Sequence, residues 1–136
     1  MGGVGIAGLA LLGAPGCGGG EAGSGKVVFS FFPDGSGGIQ HLIDKFNEQN
    51  KGRFQVSHQA INLDTREYFD RLKTEFQAGG GETDVIGGDV PWTAEFAENG
   101  WTADVSSRFS EGERGKFLKG QIQSLTYEDK IWGKPW

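Results

Sequence analysis

The chain has 136 residues, about the length of one domain. It is 36% hydrophobic and 23% charged, with a net charge of −5 and no run of lysines and arginines, which argues against a nucleic-acid partner. A single cysteine excludes an internal disulfide framework, and no stretch is apolar over the roughly 18 residues that a membrane helix needs.

Of the 25 glycines, 11 fall in the first 25 positions. Residues 4–12, VGIAGLALL, are uncharged and apolar. They have the length of a signal-peptide hydrophobic region and are too short to cross a bilayer. GAPG follows, and then Cys17. An apolar run, small residues and a cysteine resemble the lipobox of a bacterial lipoprotein, where the signal is cut just before the cysteine that then carries the lipid. Ala14 and Gly16 suit the small-residue positions before the cut. Pro15 between them, and Gly13 where leucine is usual, depart from the pattern, and the basic start is missing because the first lysine is Lys26. The expected organisation is a signal peptide over 1–16 without its basic start, a lipidated Cys17 with a glycine-rich tether over 17–25, and a folded part over 26–136. A plain linker with an incidental cysteine is the competing reading.

Two glycine spacings in this stretch imitate nucleotide motifs. Gly18, Gly20 and Gly23 satisfy G-x-G-x-x-G, and Gly20, Gly25 and Lys26 begin a P-loop. Both motifs need a preceding strand and a following helix, so that backbone N–H groups and the helix dipole face the phosphate. Here a strand comes after, and Val27 stands where the magnesium-binding Ser or Thr belongs. A nucleophilic Cys17 would need an activating histidine or metal in a folded pocket, which a glycine-rich tail does not build.

KVVFSFF over 26–32 is β-branched and aromatic and reads as a buried strand. PDGSGG is a loop. Ile39, Leu42, Ile43 and Phe46 fall at helical spacing on one face, ending near Asn50 before the Lys51-Gly52 stop. Phe54, Val56 and His58 alternate with polar neighbours as a second strand. Asp64 with Glu67 opens a second helix in capping-box fashion, Phe69, Leu72 and Phe76 mark its face, and three glycines close it. TDVIGGD over 83–89 reads as a short third strand. Pro91 suits the first turn of a third helix, with Trp92 and Phe96 one turn apart and Gly100 beyond its end. Leu118, Ile122 and Leu125 give a weaker helical pattern. Glu128-Asp129 then reads as a turn before a last short strand.

Strand and helix alternate, so an α/β unit with a parallel sheet is expected, with ligands off the carboxyl ends of the strands. Two segments lie there: PDGSGG after strand one and GGDVPW after strand three. Asp89 offers a carboxylate and Trp92 an indole, a pair suited to the hydroxyls and C–H faces of a sugar. Asp34 is a second carboxylate, and Arg66 a third candidate in the step into helix two. Each has a plainer alternative. Asp89 can cap the helix at Pro91, Trp92 can belong to the core with Phe96, Asp34 can shape a turn, and Arg66 can be a solvated charge. No G-x-S-x-G elbow is present, and His41 and His58 have no metal-site spacing, so neither catalysis nor a metal or cofactor is expected.

Three blocks together resemble the extracellular solute-binding proteins of ABC importers, family 1, closest to the trehalose/maltose type. They are VVFSFFPDGSGGIQHLIDKFNEQNKG, YFDRLKTEFQAGGGETDVIGGDVPWTAEFAENGW and DKIWGKPW. The resemblance spans essentially all of 26–136. It implies a periplasmic-binding-protein-like lobe, a mainly parallel sheet flanked by helices, truncated before the second lobe. Members run to about three times this length, in two lobes that close on a sugar. It further implies an extracytoplasmic, membrane-anchored protein that binds an oligosaccharide or α-linked disaccharide and hands it to an ABC permease. Trp132 and Trp136 would then line the cleft, or stand as exposed apolar surface in this shorter chain. A binder of another polar solute, such as a glycerol phosphodiester or polyol, is the nearest alternative, because a helix N-terminus after GSGG suits an anion. A glycoside-processing enzyme and a fragment without function are the others.

Overall fold

The computed structural model describes residues 25–136. Cys17, the apolar run and the tether lie outside the described residues. Five strands and five helices follow in order: β1 (Gly25–Phe31), α1 (Gly38–Gln49), β2 (Phe54–Ala60), α2 (Thr65–Gln77), β3 (Val85–Ile86), α3 (Thr93–Glu98), α4 (Glu111–Arg114), α5 (Lys119–Ser124), β4 (Thr126–Tyr127) and β5 (Lys130–Ile131). The first three strands form a parallel sheet in the order β2-β1-β3. β1 pairs with β2 along its whole length, from Gly25↔Phe54 to Phe31↔Ala60. Parallel neighbours require a crossover, which α1 and α2 supply.

α2 shows why local sequence suffices for some elements. Asp64 accepts from the Glu67 N–H and the Glu67 side chain returns to the Asp64 N–H, which satisfies two otherwise unpaired groups of the first turn. At the other end Gly80 donates to Glu75 and Gly79 to Phe76, with Gly79 at φ 104, a Schellman closure that favours glycine. Between the caps, Tyr68 and Leu72 are 0% and 1% exposed. They pack with Ile61, Trp92 and Phe96, and Phe32, Phe69, Phe76, Ile86 and Trp101 surround that cluster. The Tyr68 hydroxyl donates to the Ser30 carbonyl at 2.8 Å, tying α2 to β1.

The edge of β2 is closed by α1. Asn47 donates to the Val56 carbonyl at 2.8 Å and accepts from the Val56 N–H at 2.7 Å, occupying outward-facing groups that would otherwise invite another strand. The antiparallel β4–β5 pair turns through Glu128 (φ 48) and Asp129 (φ 60), the two positive angles of a type I′ hairpin. The Tyr127 hydroxyl donates to Glu98 and so joins the hairpin to α3.

Three expectations need correction. The first strand is not buried throughout: Ser30 is buried, but Phe29 and Phe31 are only half-buried. They share a sheet face with Val27, and that face is an open groove. The third strand has two residues, not seven. Before it, the Asp84 side chain takes the place of a ladder partner by accepting from the Val28 N–H at 2.8 Å; after it, two glycines lead the chain away. Finally, α1 buries Ile39 and Ile43 but leaves Leu42 and Phe46 59% and 41% exposed. The spacing identifies the apolar side of the helix correctly, yet half of that side has nothing packed on it.

Candidate functional site

The carboxyl ends of β1 and β3 lie side by side, because Phe29 pairs with Val85 and Ser30 with Ile86. The segments that follow, 32–38 and 87–92, therefore emerge at the same edge of the sheet. Asp34 spends most of its carboxylate on its own loop. Oδ1 accepts from the N–H and hydroxyl of Ser36 at 2.9 and 2.6 Å, and Oδ2 accepts from the Ile39 N–H at 2.8 Å. Those bonds hold its pKa down at about 2, against an ordinary 3.8, the Ser36 hydroxyl contributing most and the Ile39 and Ser36 N–H groups following. A carboxylate has about four acceptor positions, so roughly one remains for anything else.

The same arrangement answers the anion question. The first turn of α1 is already served by the negative charge of Asp34, so a phosphate there would meet a carboxylate rather than free N–H groups. A depressed carboxylate pKa stabilises the fold above its unfolded value, and that contribution is lost as pH falls from the ordinary 3.8 toward about 2. Asp34→Asn keeps a capping acceptor but cannot titrate. Its unfolding midpoint, followed by circular dichroism, should therefore fall less than that of the parent chain over this acidic window.

Asp89 is placed differently. Its backbone opens the 3₁₀ turn Val90–Trp92, and Oδ1 accepts from the Val90 N–H at 2.8 Å. The residue is exposed, and no hydrogen bond to Oδ2 occurs among the described residues. Asp89 is thus both a cap and an available acceptor. It stands at the rim of a 140 Å³ cavity lined also by Trp92, Thr102, Trp132 and Lys134. The Trp132 indole N–H is engaged by the Tyr127 carbonyl at 3.0 Å, which fixes the ring against this cavity.

Trp92 itself is 9% exposed, with ring centroids of Tyr68, Phe69 and Phe96 at 5.8, 5.4 and 5.8 Å. Arg66 lies exposed in the first turn of α2. Trp136 is 76% exposed, yet its ring meets Phe31 at 5.4 Å and Phe29 at 6.4 Å.

Three concavities share residues at this edge. The groove on the open sheet face has a volume of 620 Å³ and includes Phe29, Phe31, Gly88, Lys134 and Trp136. Gly88 and Lys134 also line the cavity beside Asp89. Phe31 and Trp136 also line a 360 Å³ hollow that contains Asp34. Asp34, Asp89, Trp92 and Trp136 each line at least one of these three concavities, and Arg66 lines none of them. Phe31 and Gly87 are the participants that sequence reasoning missed. A phenylalanine inside a strand pattern reads as core, and nothing in the sequence signals the crossing of the two strand ends.

No protein-family model matches the chain. Its fold is similar to solved structures of sugar-binding proteins. Maltose-bound MalE3 of T. maritima matches with a TM-score of 0.71 and 26% identity, over 79% of this chain and 27% of that one. The galacto-N-biose/lacto-N-biose I-binding protein of the ABC transporter of Bifidobacterium longum matches with a TM-score of 0.70 and 18% identity, over 85% and 29%. The GacH receptor of Streptomyces glaucescens, solved unliganded and with acarbose, matches with a TM-score of 0.67 and 23% identity, over 79% and 28%. The described residues have the α/β fold of part of a solute-binding-protein lobe, with its parallel sheet and flanking helices. The chain spans less than a third of the length of these structures.

Proposed function

We propose that this chain is part of the extracytoplasmic binding component of an ABC importer of the trehalose/maltose type. In this reading it captures an oligosaccharide or α-linked disaccharide and presents it to a permease. The observation that carries the reading is Asp89: an exposed carboxylate with one oxygen uncommitted, beside an indole-walled cavity at the carboxyl end of β3. A carboxylate accepts from sugar hydroxyls in strong, charge-assisted bonds. In a calorimetric titration with maltose, acarbose and lacto-N-biose, at least one sugar should bind the parent chain. Asp89→Ala should weaken that binding by about tenfold or more, the worth of one charged hydrogen bond. Equal affinity in both proteins would remove Asp89 from the site.

Asp34 does not serve as the general acid of a glycoside hydrolase. A hydrolase needs one carboxyl group held protonated as the general acid, with its pKa raised. Asp34 is displaced in the opposite direction, to about 2. Occupation of the α1 N-terminus by Asp34 likewise favours a neutral sugar over a phosphodiester.

Cys17 is the proposed lipid attachment point, with the following glycine-rich residues as a tether to the membrane surface. Metabolic labelling with a fatty acid should mark the parent protein and not Cys17→Ala. Equal labelling of the two would refute the anchor.

A further inference from the structure

We infer that the cavity beside Asp89 is a site for ordered water, and that this water joins the Thr102 hydroxyl to the uncommitted oxygen of Asp89. Thr102 is then a positioning residue for that carboxylate, a role that rests on the sugar-binding reading above. Thr102 Oγ1 is buried, and no group among the described residues bonds to it. A buried hydroxyl left unpaired costs its full desolvation penalty, so a partner is strongly favoured. Thr102 lines the 140 Å³ cavity together with Asp89, Trp92, Thr93 and Trp132.

Size and polarity both suit water. The volume far exceeds the roughly 10–15 Å³ that one water needs, and a bound water takes about two to four polar partners. Three lining side chains can serve: the hydroxyls of Thr93 and Thr102 and the carboxylate of Asp89. Asp89 Oδ1 holds the Val90 N–H, which leaves Oδ2 as the acceptor. The other polar groups of the wall are committed. The Trp132 indole N–H donates to the Tyr127 carbonyl at 3.0 Å, and the Lys134 ammonium group donates to Glu113 at 3.4 Å. Thr102 is also fixed from its own side. Gly100, at φ 67, donates to the Ala97 carbonyl at 3.0 Å and Trp101 to the Phe96 carbonyl at 2.9 Å, which sets the chain just before Thr102. A water bridge is nearly as good as a direct hydrogen bond. A carboxylate tied through water to a fixed hydroxyl keeps one orientation, and less freedom is lost when a sugar hydroxyl binds it.

The test is urea unfolding of the full chain, with Thr102→Val made in the parent and in Asp89→Ala. Valine keeps the shape of threonine and removes the hydroxyl. The unfolding midpoint should fall in the parent and fall less in the Asp89→Ala background. A raised midpoint means that the hydroxyl is unpaired and the cavity excludes water. An equal fall in both backgrounds means that the water does not reach Asp89. Either result overturns the inference. If Thr102→Val fails to fold, water-selective nuclear Overhauser spectra of the parent decide: transfer from a long-lived water to the Trp92 and Trp132 ring protons supports the site, and its absence overturns it. Calorimetric titration with maltose reads the positioning role. Thr102→Val should weaken binding by about threefold or more, Thr102→Ser should restore it, and the residual affinity of Asp89→Ala should not change further. Unchanged affinity in Thr102→Val overturns that role. Failure of the parent to bind any of maltose, acarbose or lacto-N-biose overturns the sugar-binding reading and the positioning role with it, while the unfolding midpoints still decide the water site.

Discussion

Trp92→Ala should lose about 3–5 kcal/mol of stability, the usual range for removing a large buried aromatic. A small domain has roughly 5–15 kcal/mol in total, so this variant should be at or near unfolding at room temperature. The reason is position. The indole packs against Tyr68 and Phe69 from α2 and against Phe96 from α3, and so joins the two helices. Ile61, at the end of β2, belongs to the same cluster. Trp92→Phe keeps much of this contact and should cost far less. Urea unfolding followed by circular dichroism separates the two variants. A sugar-stacking residue would behave otherwise: the alanine variant would remain folded and lose only affinity. The experiment thus decides between two readings of Trp92 that its sequence spacing leaves equal.

Gly87→Ala should cost about 1–3 kcal/mol or more through overpacking. A Cβ at this position would lie 1.9, 2.5 and 2.8 Å from Cδ2, Cε2 and Cγ of Phe31. The ring cannot swing freely aside, because Phe29, Phe32 and Trp136 surround it. Nor can β3 withdraw without loss, since the Gly87 N–H donates to the Ser30 carbonyl at 2.9 Å. The clash is between two named residues, so it has a specific signature. Phe31→Ala should relieve it, and the double variant should be more stable than the sum of the single losses by about 1 kcal/mol or more. Strict additivity would show that the two residues do not meet.

Local signals account for the elements that the sequence reveals best. Asp64 and Glu67 announce α2, three glycines close it, and both ends depend only on neighbouring residues. The turn at Glu128-Asp129 is legible for the same reason. Leu42 and Phe46 mark the limit of periodicity: it identifies the apolar side of α1, not whether anything covers it. The contraction of β3 depends on Asp84 reaching Val28 across the sheet, a long-range contact with no local trace.

The site divides in the same manner. Asp89 is legible as a carboxylate at a strand end, and both of its proposed roles, cap and acceptor, are open to it. Asp34 is legible as a turn residue, but its commitment to Ile39 appears only once the loop is folded. Phe31 acquires its place from Gly87, far along the chain, and no sequence window contains both.

The central claim is that sugar binds across the carboxyl ends of β1 and β3. A two-dimensional amide NMR titration with maltose tests it most directly, since such spectra detect weak binding and locate it. Shifts should concentrate at Ser36, Gly38, Gly88, Asp89 and Val90 and at the indole N–H of Trp136, with the outer face of α2 unchanged. Shifts confined to α2, or none at saturating sugar, would contradict it.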